Sequence, residues 1–363
     1  MNHLFWKAKI SICCSLLLFS VTLSAQNEKQ LAHNKAVQAI KMIDDEQRYE
    51  DGLELLKEAA KLDPENTTYP YEMCYVYQMQ GKHQKTIDLM QTIIDSKDAT
   101  ARYYQMLGNA YDYLEKPDEA IKIYESGLKR FPESGRLYLE LGTIQYNQKA
   151  YSNAVMYYES GIEHDPTFSS NYYYATLIFL NSSDPVWGMI YGELFMNLER
   201  NTKRTAAISK ALYESYQKNI NYTSDTSMTV TFSKDNVMNF DKRHKVKLPF
   251  GTGCYEMLTM LSCLSEKSVN MASLDRVRTR FIDEYQKKNW RADYPNVLFD
   301  YQRKIQQAGH LEAYNHWILM KGDEEAFKTW REQNDEKWTA FAKWFNDNML
   351  KLDNQHKFYR GQY

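Results

Sequence analysis

Three prolines set a ruler along the first half of the chain: Pro64, Pro132 and Pro166 are separated by 68 and 34 residues, two periods and one. Self-similarity at a fixed period marks a repeat architecture, in which each unit is one supersecondary element that cannot bury its apolar face alone. Other residue types keep the same step. Tyr104, Leu107, Gly108, Tyr111, Ala120, Tyr124 and Pro132 are followed one period on by Tyr138, Leu141, Gly142, Ala154, Tyr158 and Pro166, with Gln145 where Tyr111 would recur. In this frame units begin near His33, Thr67, Ala101, Gly135 and Ser169 without insertion. A chain of 363 residues with only 14 Gly and 8 Pro, and little alternating Val, Ile or Thr, leans to helices rather than a sandwich or barrel. The small residues let paired helices approach, aromatics fill the remaining space, and proline ends each unit because it cannot continue a helix.

This pattern resembles the tetratricopeptide repeat family over about residues 33–200. The outer units depart from it: Gly52 stands where Ala is usual, Asp98 replaces the proline of the second unit, and Gly188 and Gly192 fall in the second helix of the fifth. The resemblance implies an all-α fold, helix pairs stacked as an α-solenoid with a concave groove that takes a peptide or protein. In that family the first helix of each pair lines the groove. Carried over place by place, the candidate contacts are Tyr71 and Tyr75; Arg102, Gln105, Asn109 and Asp112; Arg136, Leu139, Thr143 and Tyr146; and Tyr173. Tyr faces offer rigid contact area, Arg a planar fork for carboxylates, and Asn both a donor and an acceptor for a peptide backbone. Some members hold a terminal carboxylate with a Lys and Asn clamp. Here Asn109 is present, but Gln105 occupies the Lys place and Glu140 opposes the amide expected in the next unit, so that function is disfavoured.

Residues 1–25 read as a secretory signal: Lys7 and Lys9 precede the apolar run 10–23, and Ser24 and Ala25 offer a cleavage site. A retained anchor is the alternative, but 14 residues make a helix about 21 Å long against a bilayer core of about 30 Å. Cys13 and Cys14, inside the run, make a poor lipid-attachment site. Cleavage leaves Cys74, Cys254 and Cys263, an odd number, the last two about 13.5 Å apart if they share one helix, so packing is expected rather than a bridge. Without a second apolar run the mature chain has no transmembrane anchor, and an exported, periplasmic or envelope-associated location follows.

After Asn201 the register ends. Residues 201–220 read as a capping helix and 221–363 as a mostly helical domain with a small β-hairpin near 227–250, in which 228–233 would pair with 246–250. The intervening Lys242, Arg243, His244 and Lys245 read as a solvated loop. Helices are expected over 254–264, 272–288, 296–308, 311–320 and 324–350, stopped by Gly309 and Gly322. This region looks like the one following such repeats in exported proteins of Gram-negative bacteria, a likeness that carries no known activity. Five tryptophans, Trp290, Trp317, Trp330, Trp338 and Trp344, raise an alternative function, glycan binding, against which helical spacing favours core packing.

Residues 26–202 hold 17 Lys and Arg against 27 Asp and Glu, and 203–363 hold 26 against 20, so the halves differ in sign. No GxxxxGK, GxGxxG, GxSxG or HExxH occurs, and the seven histidines after residue 25 are scattered without metal-ligand spacing. The reading is a non-enzymatic binding scaffold of the bacterial envelope without cofactor, metal or nucleic acid. A hydrolase would need a buried acid pair or nucleophile in a pocket of the second half.

Overall fold

A computed structural model of the chain describes residues 26–224, 227–234, 239–240, 246–287 and 290–363. The expected signal segment and the loop 242–245 lie outside these residues. Two compact units divide at Pro132 and Glu133.

The N-terminal unit is three helix pairs: α1 (26–44) with α2 (Tyr49–Leu62), α3 (Thr68–Met79) with α4 (His83–Ile93), and α5 (Ala101–Tyr113) with α6 (Pro117–Arg130). The small residues act as the sequence implies. A β-carbon on Gly108 would overlap the Tyr124 ring, so only glycine in α5 lets the fully buried Tyr124 of α6 cross so closely. Ala32, Ala36 and Ala39 of α1 and Leu53, Leu56 and Ala59 of α2 join Tyr69, Met73 and Val76 of α3 in one core. Consecutive pairs are also joined by polar contacts: Thr67 and Tyr103 hydroxyls lie 3.0 Å apart, and Arg130 donates to the Ser96 carbonyl at 2.7 Å.

The second unit continues the step with α7 (Gly135–Asn147), α8 (Tyr151–His164), α9 (Ser169–Leu180) and α10 (Pro185–Leu198). Gly142 repeats the device, its missing β-carbon making room for Tyr158. The fifth pair closes despite its glycines: Gly188 packs on the Leu180 backbone and Gly192 against Thr176, Ile208 and Leu212. Next comes α11 (Lys203–Asn219), opened by Thr202, whose hydroxyl accepts the Thr205 amide at 3.1 Å.

The expected pairing of 228–233 with 246–250 is not formed; each of these segments takes another partner. Strand β1 (Ile220–Ser224) pairs antiparallel with β2 (Ser227–Val230), Ile220 opposite Val230, and β3 (Asn239–Phe240) pairs with β4 (Val246–Lys247). Each strand takes a neighbour a few residues away, since short loops cost less entropy to close than the loop joining 233 to 246. Phe232 leaves the strand and is fully buried, its carbonyl accepting the Val186 amide at 3.0 Å.

A wide π-type turn at Phe250–Glu256 leads into α12 (Met257–Cys263), then α13 (Met271–Lys287), a short α14 (Trp290–Asp293), α15 (Val297–Gln307) and α16 (Leu311–Leu319). The single helix expected over 324–350 is two, α17 (Glu324–Gln333) and α18 (Asp335–Asp347). They break at Asn334, whose side chain donates to the Trp330 carbonyl at 2.9 Å, a local bond that competes with the helical ladder. Folding back sets Trp338 edge-on against Phe327, ring centres 5.4 Å apart. The last residues run as a strap whose polar contacts reach second helices of the repeats: Arg360 pairs with Glu159 of α8 at 2.8 Å and its amide donates to Tyr191 of α10. Phe358 anchors it, fully buried.

Candidate functional site

In the N-terminal unit, the proposed contacts fall on α3 and α5. Tyr71 is half-buried and stacks on Tyr103 with ring centres 4.8 Å apart, and Tyr75 is 42% exposed. Arg102 and Asp112 are exposed; Gln105 and Asn109 are half-buried. Asn109 is already engaged, its Oδ1 accepting the Tyr124 hydroxyl at 2.6 Å.

Six large apolar side chains of this unit stand strongly exposed among the described residues: Leu31, Val37, Ile40, Tyr75, Met79 and Tyr113. All six belong to α1, α3 or α5, the first helices of their pairs, and none to α2, α4 or α6. Isolated exposed apolar residues are ordinary; six confined to one layer of helices are not what random surface placement produces. Of these, only Tyr75 had been singled out: Met79 and Tyr113 lie one place beyond the last carried-over position of their units, and Val37 stands at the fifth place of the first unit, onto which the pattern was not carried.

The first helices of the second unit differ. Arg136 lies over the Phe168 ring at 5.6 Å, and the Thr143 hydroxyl donates to the Leu139 carbonyl of its own helix at 2.9 Å. Leu139, Tyr146 and Tyr173 pack half-buried against the large core. Arg204 of α11 covers Tyr173, its guanidinium 5.0 Å from the ring centre. Tyr146 keeps one open side, where it lines a pocket of about 360 Å³ with Tyr151, Leu177, Ile178, Asn181 and Ser182. The eleven candidates therefore divide: those of α3 and α5 share a layer with bare apolar surface, while those of α7 and α9 are drawn into packing.

The tryptophans are occupied by their own chain. Trp317 is buried, Trp330 stacks on His316 at 4.0 Å and donates to Glu312 at 2.9 Å, Trp344 sits 5.5 Å from His310, and Trp290 stacks on Tyr294.

One polar cluster escaped the sequence reading. Glu193 of α10 and Arg278 of α13, with side chains 5% and 7% exposed, form a bidentate pair at 2.7 and 3.0 Å. Arg278 also donates to Asn315 at 2.8 Å and to Tyr216 at 3.1 Å, and Gln302 donates to Glu193. Burial, the largest single influence, opposes the charge on Arg278, but Glu193 together with the Tyr216 and Tyr314 hydroxyls outweighs it, so the guanidinium holds its proton more firmly than usual. The only hint was a lone acid within PVWGMIYGELFMNL. The adjoining cavity is about 30 Å³, room for a water or two and not for a substrate. The three cysteines are free and buried; burial alone pushes the Cys74 thiol up to about 12, which leaves it protonated and unreactive at neutral pH. Among the described residues no group of three or more His, Cys, Asp or Glu is placed to hold a metal ion, and no helix is long and apolar enough to cross a membrane.

Residues 106–167 match the family model described as tetratricopeptide repeat, so the chain carries these repeats at its third and fourth units. Among solved structures it is similar to pilF of Pseudomonas aeruginosa, 14% identical with a TM-score of 0.44 over 53% of this chain and 86% of that one. It is also similar to PilW, described as a widely conserved type IV pilus biogenesis factor, at 17% identity and a TM-score of 0.41 over 52% and 94%. YrrB, described as a TPR protein with an unusual peptide-binding site, is 16% identical with a TM-score of 0.35 over 50% and 94%.

Proposed function

Proceeding from its tetratricopeptide repeats, we propose that the chain is a non-enzymatic scaffold of the bacterial cell envelope that holds a peptide or protein segment on the first-helix layer of its N-terminal unit. The observation that carries this is the confinement of Leu31, Val37, Ile40, Tyr75, Met79 and Tyr113 to α1, α3 and α5. Bare apolar area on a rigid stack of helices is what a partner can bury, and stacked pairs lose little order on binding. Arg102 and Gln105, on the same layer, supply polar anchoring beside it. The envelope location rests on the apolar run 10–23 behind Lys7 and Lys9.

A photo-cross-linking residue at position 113, compared with one at the equally exposed Met156 of α8, tests the reading in intact cells. The expected result is one partner captured from 113, lost when Tyr75→Ser and Met79→Ser are added, and absent from 156. Capture from 156 that ignores those substitutions would move the binding face elsewhere. Amino-terminal sequencing of the same preparation should begin at Gln26.

A further inference from the structure

The charges on this layer are unbalanced, and the imbalance identifies the chemistry of what it holds. On α1, Lys29 and Lys35 are turned away to Asp63 and to Glu58 of α2, at 3.7 and 2.6 Å. The other charges of α1, α3 and α5 are the acids Glu28, Asp44, Glu72 and Asp112 against the bases Lys41 and Arg102. We propose that the segment bound here is amphipathic and basic, setting Lys or Arg side chains on Asp44, Glu72 and Asp112 while its apolar side rests on Val37, Tyr75, Met79 and Tyr113. This rests on the binding face argued above and names the partner's chemistry.

Two further observations support it. Glu72, the one charged residue of α3, is half-buried between Asp44 of α1 and Arg102 of α5. Burial and Asp44 both press its carboxyl towards the neutral form, and Arg102 relieves this by less than either. No Lys or Arg nitrogen of the described residues comes within ion-pair distance of Asp44, Glu72 or Asp112. A cation arriving from outside would remove both penalties at Glu72. The second observation is where the other acids sit. Asp44 ends α1 and Asp112 lies in the last turn of α5, the helix ends at which free carbonyls disfavour a carboxylate. Two of the three second helices follow the opposite rule, with Lys61 in the last turn of α2 and Lys129 and Arg130 in that of α6, while α4 has no basic residue there. Acids placed where the fold gains nothing from them are explained by a basic guest.

The test uses the full mature chain and three fluorescein-labelled helical peptides with identical apolar positions, carrying Lys, Gln or Glu at the polar ones. The Lys peptide should bind tightest, weaken with added salt, and lose affinity several-fold with Glu72→Gln and Asp112→Asn, which leave the Gln peptide unchanged. Asp88→Asn with Glu125→Gln, equal in charge but on α4 and α6, should have no effect. Equal affinity of the three peptides, still sensitive to Tyr75→Ser with Met79→Ser, overturns the basic partner and keeps the apolar face. Equal weakening by the α4 and α6 pair reduces the effect to net charge and overturns it too. Binding of no peptide, or binding unmoved by Tyr75→Ser with Met79→Ser, overturns the face itself.

Discussion

Asn109 of α5 accepts the Tyr124 hydroxyl of α6 at 2.6 Å, so a residue expected to meet a partner also braces its own helix pair. Its replacement therefore confounds binding with folding. Asn109→Ala should cost about 1 kcal/mol through the lost half-buried hydrogen bond. Arg102→Ala, at an exposed position, should change stability by less than about 0.5 kcal/mol while shifting partner capture, since its guanidinium stands beside Glu72. Urea denaturation beside a capture assay separates the two; a matching stability loss for Arg102→Ala would deny it a role in recognition.

The turn between paired helices carries a second periodic feature. Gln47, Gly81, Glu115 and Lys149, each 34 residues from the next, adopt positive φ of 54°, 69°, 57° and 61°. Only one is glycine, so the others bear a β-carbon in the left-handed region, at about 1 to 2 kcal/mol. Part of that would be offset by the greater unfolded freedom of glycine. Glu115→Gly and Lys149→Gly should each stabilise by about 0.5 to 1 kcal/mol with an unchanged denaturant slope, and Gly81→Ala should destabilise by a similar amount. A loss of stability in either glycine variant would show that the turn draws on side-chain contacts instead.

These turns also show what was legible in advance. Within the repeats, every defining contact joins residues inside one period or the next, as Gly108 with Tyr124 or Thr67 with Tyr103, so a fixed step in sequence becomes a fixed step in space. The first helices of the later units begin at Thr68, Ala101, Gly135 and Ser169 on that step, whereas α1 is already helical at 26, ahead of the start expected near His33. Beyond Asn219 no such step exists. Glu193 meets Arg278 across 85 residues and Gln302 across 109, distances at which composition carries no signal of pairing. The exposed first-helix layer was half legible: the carried-over places include Tyr75 and Arg102, but not Met79 and Tyr113, whose exposure depends on which neighbours fail to cover them.

The Glu193 and Arg278 pair yields an asymmetric expectation. Glu193→Met leaves a guanidinium 7% exposed without its counter-charge and should destabilise by about 3 to 5 kcal/mol. Adding Arg278→Met removes the orphaned charge, so the double variant should be more stable than Glu193→Met alone. It should stay below the wild type, because Gln302, Asn315 and Tyr216 lose their partners as well. Additive losses in a double-mutant cycle would mean that the two residues act independently.

Glu266, just past α12, receives Arg276 at 2.6 and 2.9 Å and Arg280 at 2.5 Å, with its own side chain 6% exposed. The Arg276 bond is the leading influence and outweighs burial, Arg280 adds to it, and the carboxyl titrates below its ordinary 4.5. Because the folded value lies beneath the unfolded one, unfolding takes up a proton between them. The stabilisation is complete above 4.5 and is lost as pH falls through the lowered folded value. Glu266→Gln should be less stable than the wild type at neutral pH and flatter on the acid side. The two curves should converge only below the lowered folded value, where both side chains are neutral. Parallel curves through that window would place the acid sensitivity of this unit in other carboxylates.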